Sequence, residues 1–261
     1  MKPPPLRATM QRRLLVNYRI DPDVLAEGLP SPFRPALVGR YGMVGLCLLR
    51  LGGVRPAGLP AGGLMSENVA HRVAVCWDTT AGVQTGVYVS RRDTSSRLAA
   101  LLGGRIFPGW QHHARFEVRE GGGRYRVEVD SDDGVVGVHV GVHLADTVQP
   151  GSVFADVAAA SRFFRRAPVG YAATPAAGVF DGVELVTEGW DLTPAHVDEL
   201  SCSFFDDPVR FPPGTAALDS AFIMGGLATR WRPQRRLLGT PLADGPAAAG
   251  HLGPTRPATP R

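Results

Sequence analysis

Short segments in which apolar and polar residues alternate recur along most of the chain, and they predict a sheet of many short strands. Leu14, Val16 and Tyr18 share one face of the first such segment, and Val69–Trp77 alternates in the same way. Glycine-bearing turns separate the segments, as is typical of antiparallel hairpins. The predicted strands cover residues 14–20, 37–51 (two strands), 69–77, 86–91, 114–119, 124–130, 135–144, 170–173, 178–187, 201–205 and 221–232.

Few segments have helical periodicity. A short helix is predicted from Asp21-Pro22 to Gly28, a second from the Thr94–Ser96 cap to about Leu102, and a third over residues 153–165 with Ser152 as its cap. A further helical turn is predicted at Thr193-Pro194. Many strands with two or three helices and no regular βαβ order favour a mainly β fold with a curved or closed sheet.

The composition is that of one globular domain with polar ends. Residues 10–238 are predicted to form a single domain, because residues 1–9 are proline-rich and residues 239–261 offer little to bury. We expect the first segment to be a flexible arm and the second to be disordered. The net charge of +4 comes almost entirely from scattered arginines, so a nucleic-acid partner is not expected.

No membrane partner or secreted location is predicted either. The chain has no apolar stretch of about 18 residues, and residues 1–10 carry charge with no apolar region after them. A cytoplasmic location is therefore expected.

Three widely spaced cysteines without a CxxC pair disfavour disulfides and structural zinc. His139 and His143 have the spacing of a helical zinc pair but lie in a predicted strand, where four residues span roughly 13 Å. We therefore predict no metal.

Several motifs occur in an order that resembles the YqjF-like proteins, a bacterial family of unknown function. They cover most of residues 10–236, and none is a catalytic signature. That family is distantly similar to acetoacetate decarboxylase. The motifs are LLVNYRIDPDVLAEGLP (14–30), VRPAGLP (54–60), ENVAHRVAV (67–75), GVYVSRRDTSSRLAALLGGRIFPGW (86–110), HHARFEV (112–118), SVFADVAAASRFF (152–164) and WDLTPAHVDEL (190–200).

The resemblance implies a closed, cone-like antiparallel β-barrel around a largely apolar cavity. The cavity would open where Glu67, strand 86–91 and loop 103–110 converge. In the decarboxylase, a pair of lysines follows the corresponding proline, and one of them forms a Schiff base. Trp110 and Gln111 stand there in this chain, whose only lysine is Lys2. Imine chemistry by that route is therefore excluded, and no cofactor is predicted.

Two residues are candidates for acid/base catalysis. Glu67 would face the mouth of the implied cavity, where a partly desolvated carboxylate can exchange a proton with a substrate. Arg105 would be its working partner. The alternative interpretation is structural, with Glu67 paired to an arginine such as Arg72 or Arg91 to brace the sheet.

Four residues are candidates for ligand binding. Arg91 and Arg92 end a strand at the predicted rim, and an arginine fork can hold a carboxylate or phosphate. Trp110 and His112 complete the set. His112 and His113 are adjacent on a strand, so at most one of them enters the cavity. The alternative for the arginines is a structural ion pair with Asp93. The alternative for the histidine is a hydrogen-bonded side chain that only fills space.

Three functions remain open at this point. The first is the binding of a small, partly apolar or carboxylate-bearing molecule without Schiff-base chemistry. The second is an acid/base enzyme of the decarboxylase-like superfamily, of lyase or hydratase type, acting on a keto acid. The third is an interaction protein with a collapsed cavity. The sequence leaves open whether the protein is an enzyme, and a homo-oligomer is compatible with each function.

Overall fold

A single sheet of fifteen strands dominates the part of the chain that the structure describes. The computed structural model describes residues 5–60, 62–102, 107 and 109–239. Its helices are α1 (Pro22–Glu27), α2 (Arg97–Leu102) and α3 (Val157–Arg165). The strands are β1 (Leu6–Ile20), β2 (Arg34–Pro35), β3 (Leu37–Val38), β4 (Tyr41–Pro56), β5 (Leu64–Thr79), β6 (Gly82–Thr94), β7 (His112–Gly121), β8 (Arg124–Ser131), β9 (Gly137–Leu144), β10 (Val169–Ala173), β11 (Val179–Thr187), β12 (Thr193–Cys202), β13 (Ala216–Met224), β14 (Leu227–Pro233) and β15 (Leu237–Leu238).

The sheet closes on itself twice. In one direction the strands run β1-β13-β12-β9-β8-β7-β6-β5-β4, and β4 pairs with β1 again. We call this closed path the large ring. In the other direction β1 is followed by β14, β11 and β10, and β10 pairs with β6. This second path, β10-β11-β14-β1-β4-β5-β6, is the small ring. The predicted closed and mainly β fold is confirmed.

The strands that both rings share carry two hydrophobic cores on their opposite faces. Leu14, Val16 and Tyr18 lie in the first core, as their alternation predicts, together with residues of the large ring. Leu15 and Cys47 lie in the second core, with α3, β11 and β14. Strands that are buried on both faces read as continuous apolar runs, which explains the LLV and GLCLL segments.

Several β-bulges break the alternation of the shared strands, and two of them directly precede arginine doublets. In the pairing of β1 with β4, Met10 faces Leu51 and Arg12 faces Arg50, so Gln11 is the extra residue. In the pairing of β5 with β6, His71 faces Arg91 and Arg72 faces Val89, so Ser90 is extra. A bulge re-aims every side chain beyond it to the other face of the sheet.

Several predictions about elements are wrong. The predicted strand 201–205 is a turn beyond Cys202, and the predicted strand 221–232 is divided into β13 and β14. The predicted arm extends too far, because Leu6 already begins β1 and pairs with both β14 and β4. The predicted turn at Thr193-Pro194 is the start of β12, a strand position where proline's missing N–H is tolerated. Helix α3 is capped by Asp156, which accepts the Ala159 N–H, and Ser152 lies outside it.

The remaining expectations concern the tail, the domain boundaries and membrane-spanning helices. The predicted tail lies almost entirely outside the described residues, and the domain boundaries stay predictions. No helix within the described ranges is long and apolar enough to span a membrane.

Candidate functional site

The small ring encloses a cavity of about 430 Å³. Its walls come from β1, β4, β5, β6, β10, β11 and β14, and α3 and the 187–190 segment close parts of it. Most of the wall is apolar and much of it aromatic. Its apolar residues include Leu49, Leu51, Ala70, Val87, Val89, Phe107, Phe164, Val183, Leu185, Trp190 and Trp231.

Four arginines also line this cavity, namely Arg13, Arg72, Arg92 and Arg165, of which Arg165 is exposed. Two of them carry buried nitrogen atoms that have no acceptor among the described residues, namely Nε and Nη1 of Arg13 and Nε of Arg72. The indole Nε1 of Trp190 is buried and unpaired in the same wall. Buried polar groups are nearly always hydrogen-bonded in folded proteins. The cavity wall thus has N–H groups that lack a hydrogen-bond acceptor among the described residues.

The guanidinium groups are held in place by aromatic rings. The Cζ atom of Arg13 lies 5.4 Å from the centre of the Trp190 ring, and that of Arg72 lies 5.1 Å from the Phe164 ring. Nη2 of Arg72 donates a hydrogen bond to Oδ1 of Asn17. Stacking and this neutral amide orient the cations but do not neutralise them.

Burial makes the positive charge in this cavity costly. It lowers the pKa of Arg72 to about 10, and it lowers the pKa of Arg92 to about 10 as well. Arg13 adds to the shift of Arg72 by charge repulsion. Both groups still carry their charge at neutral pH. The cavity is therefore cationic, in a setting where water stabilises the charge poorly.

Two carboxylates line the cavity, and each has a partner of its own. Asp93 is completely buried and receives two hydrogen bonds at 3.0 Å from Nε of Arg91 and a third at 2.6 Å from Nη2. Glu184 accepts a hydrogen bond from Nε2 of Gln234 at 3.0 Å. No ion pair joins either carboxylate to Arg13 or Arg72 within the described part of the chain.

The two bulges explain why Arg13 and Arg92 face the cavity. Arg12 and Arg13 follow the bulge at Gln11, and Arg91 and Arg92 follow the bulge at Ser90. Neighbouring residues of a strand point to opposite faces, so one arginine of each doublet enters the cavity. The other arginine of each doublet is engaged in ion pairs, Arg12 with Glu67 and Glu120, and Arg91 with Asp93 and Asp133.

Glu67 does not face the cavity, contrary to expectation. It lies between Arg12 and Arg50, with oxygen-to-nitrogen distances of 2.6 and 2.5 Å, and both arginines also contact Glu120. The reason is strand alternation, because Asn68, Ala70 and Arg72 take the cavity face of β5. The structure thus gives Glu67 a bracing contact, with partners other than the predicted Arg72 or Arg91.

The predicted ligand-binding residues separate into two groups. Arg92 lines the cavity, whereas Arg91 and His112 belong to an ion cluster with Asp93, which is buried, and Asp133, which is partly exposed. Nδ1 of His112 lies 3.0 Å from Oδ2 of Asp133. Burial disfavours the charge of Arg91, but its hydrogen bonds to the two aspartates outweigh this and raise its pKa. This cluster joins β6, β7 and the β8–β9 turn.

The segment that corresponds to the lysine pair of the decarboxylase does reach the cavity. Gln111 lines it, whereas Trp110 is half-buried and is not among the lining residues. Gly109 has a φ of 84°, and a Cβ there would lie 2.6 Å from Cβ of Ala172, so only glycine fits this approach. Arg105, the second predicted catalytic residue, lies outside the described residues.

Sequence reasoning did not single out Arg13, and it named Arg72 only as a partner for Glu67. The signal that could have found Arg13 is the arginine doublet Arg12-Arg13 within an apolar strand. An RR pair on a strand buried on both faces must place one cation in each core. Within the described ranges, no group of three or more His, Cys, Asp or Glu side chains could hold a metal ion.

Solved structures with the same fold include enzymes. The enduracididine biosynthesis enzyme MppR complexed with pyruvate matches with a TM-score of 0.61 at 13% identity, over 94% of this chain and 92% of that one. Acetoacetate decarboxylase from Legionella pneumophila matches with a TM-score of 0.59 at 12% identity, over 92% and 88%. An acetoacetate decarboxylase-like enzyme from Sphingomonas wittichii gives 0.54 at 12%, over 92% and 93%. These likenesses show the fold alone.

Sequence comparison gives the family. No curated protein matches the chain significantly. The family model DUF2071, described as an uncharacterized conserved protein (COG2071), matches residues 7–207, which is most of the chain. The resemblance to a decarboxylase-like family of uncharacterised proteins is thus confirmed, and the chain belongs to the DUF2071 family.

Proposed function

We propose that the protein binds a small organic carboxylate with an apolar body in the cavity of the small ring, without Schiff-base chemistry. One observation carries the proposal. Buried nitrogens of Arg13, Arg72 and Trp190 line one apolar cavity, and no acceptor among the described residues uses them. A carboxylate supplies two oxygens with about four lone-pair sites, and a negative charge to pair with the buried guanidinium groups of Arg13 and Arg72.

Electrostatics favour an anion over a neutral ligand. An uncompensated cation in a poorly solvated site is costly, and a bound anion offsets that cost by direct hydrogen bonds. The two carboxylates on the wall are already engaged by Arg91 and Gln234. The incoming carboxylate therefore meets the unpaired guanidinium nitrogens of Arg13 and Arg72.

The rest of the wall fits an apolar body. Phe164, Trp190 and Trp231 offer aromatic surface, and 430 Å³ lies in the ordinary range for a pocket that takes a small ligand. A protein of the same fold, MppR, has been solved in complex with pyruvate. On that ground we place 2-oxo acids first among the carboxylates to be tried.

The two alternatives have less support. An acid/base enzyme working through Glu67 would need that side chain in the cavity, and it forms ion pairs with Arg12 and Arg50 on the opposite face. An interaction protein with a collapsed cavity conflicts with the open volume inside the small ring.

Thermal shift against matched acids and amides tests the proposal. We expect pyruvate and longer 2-oxo acids to raise the melting temperature of the full chain at pH 7, since a ligand that binds only the folded state stabilises it. The corresponding primary amides have the same shape without the charge, and should have little effect. Equal shifts for acid and amide, or no shift with any acid at millimolar concentration, would contradict carboxylate binding.

A further inference from the structure

Three arginines form a row across three neighbouring strands, β4, β1 and β14, near the start of β1. Arg7 on β1 lies directly opposite Arg55 on β4, and it also lies directly opposite Arg230 on β14. Side chains directly opposite each other in antiparallel strands are about 5 Å apart at Cβ, and like charges there repel. A folded protein gains nothing from two such pairs by themselves.

The row lines a surface cleft that is distinct from the cavity of the small ring. The cleft measures about 420 Å³, and Thr9 and Glu188 lie on its walls beside the three arginines. Residues of β1 ahead of the Gln11 bulge alternate between this cleft and the second core, so Arg7 and Thr9 point outward while Leu6 and Ala8 are buried.

Charge in the cleft is unbalanced. Glu188 is the only carboxylate among its described lining residues, and its Oε1 lies 3.8 Å from Nη2 of Arg230 with both side chains exposed. Such an exposed pair contributes less than about 1 kcal/mol. Arg55 is fixed by hydrogen bonds from Nε to the Leu59 carbonyl and from Nη1 to the Gly53 carbonyl. Neutral carbonyls orient this guanidinium but leave its charge in place.

We propose that this arginine row binds a phosphate group, either free or as a phosphate monoester. Three cations against one carboxylate match a dianion better than a monoanion. Guanidinium forks from adjacent strands can each take one or two phosphate oxygens, which is the geometry that arginine favours. Two strand spacings amount to about 10 Å. That width suits one phosphate at the centre, whereas a nucleic-acid backbone would need the row to continue.

Calorimetric titration with inorganic phosphate and with glycerol 3-phosphate, at ionic strength held constant with sodium chloride, tests the site. We expect both probes to bind the full chain, and R7Q and R230Q each to weaken binding at least tenfold. R126Q is the matched control, because Arg126 is an exposed arginine on β8 that does not line this cleft. The R13M variant of the cavity should keep full phosphate affinity, which separates this site from the proposed carboxylate site.

Stability distinguishes a binding row from a structural one. Without phosphate and at low salt, R7Q should melt at the same temperature as the wild type or higher, since it removes two repulsive pairs. Absence of binding at constant ionic strength, or full affinity in R7Q, would overturn the proposal. Much tighter binding of a DNA oligonucleotide than of either small probe would also overturn it, in favour of a nucleic-acid surface. A monoester preferred over phosphate would identify a phosphorylated metabolite as the ligand.

Discussion

The double variant R13M/R72Q, in which both cavity arginines are replaced, is expected to abolish carboxylate binding. Its affinity for the carboxylate should fall about 100-fold or more. Each guanidinium offers a charge-assisted hydrogen bond worth about 1.5–3 kcal/mol, and each 1.4 kcal/mol is a factor of ten. The measurement is calorimetric titration with the 2-oxo acid that gives the largest thermal shift. R126Q should bind as the wild type does, because Arg126 lies outside the cavity.

The single R13M variant separates binding from folding. Nε and Nη1 of Arg13 have no acceptor among the described residues, so methionine removes a poorly solvated charge and keeps an apolar contact with Trp190. We expect its melting temperature without ligand to equal or exceed that of the wild type, and its carboxylate affinity to fall at least tenfold. Proteins often carry such destabilised groups where function requires them. A lower melting temperature with unchanged affinity would make Arg13 a structural residue.

Replacing Asp93 by alanine is expected to lower the free energy of unfolding by about 3–5 kcal/mol. Asp93 and Arg91 are both completely buried, and three hydrogen bonds join them. Alanine would remove the fully buried carboxylate that pairs with Arg91, in a place where water cannot solvate the charge. The measurement is denaturant unfolding, provided that the slope with denaturant is unchanged.

An exposed ion pair of the same type gives the control for this variant. Asp78 and Arg34 lie 2.8 Å apart, with 73% and 56% of their side chains exposed. D78A should therefore cost less than about 1 kcal/mol. If D93A costs no more than D78A, the ion cluster does not hold β6, β7 and the β8–β9 turn together as described.

The fold was largely predictable because alternation survives in the strands. Leu14, Val16 and Tyr18 share a core, and so do Val69, Val73 and Val75. Prediction failed where local signals compete with pairing. Residues 6–9 are proline-adjacent and polar in part, yet β14 and β4 both pair with them. Thr193-Pro194 is typical of a helix start, but β13 pairs with it as a strand.

The site was less predictable than the fold, and the reason is the bulges. From sequence, Arg91 and Arg92 are equivalent candidates, and only the extra residue Ser90 decides that Arg92 faces the cavity. Glu67 could have been placed correctly, since it shares a strand face with Val69 and not with Arg72. Four unpaired donors meeting in one cavity cannot be read from sequence, because they come from β1, β5 and a loop.

A crystal structure of the protein with the 2-oxo acid that gives the largest thermal shift tests the carboxylate site most directly. We predict that the carboxylate lies inside the small ring with its oxygens about 3 Å from guanidinium nitrogens of Arg13 and Arg72. The apolar end of the acid should contact the aromatic wall formed by Phe164 and Trp231. An acid bound anywhere else, or bound in the cavity with its carboxylate turned away from both arginines, would contradict the proposed function.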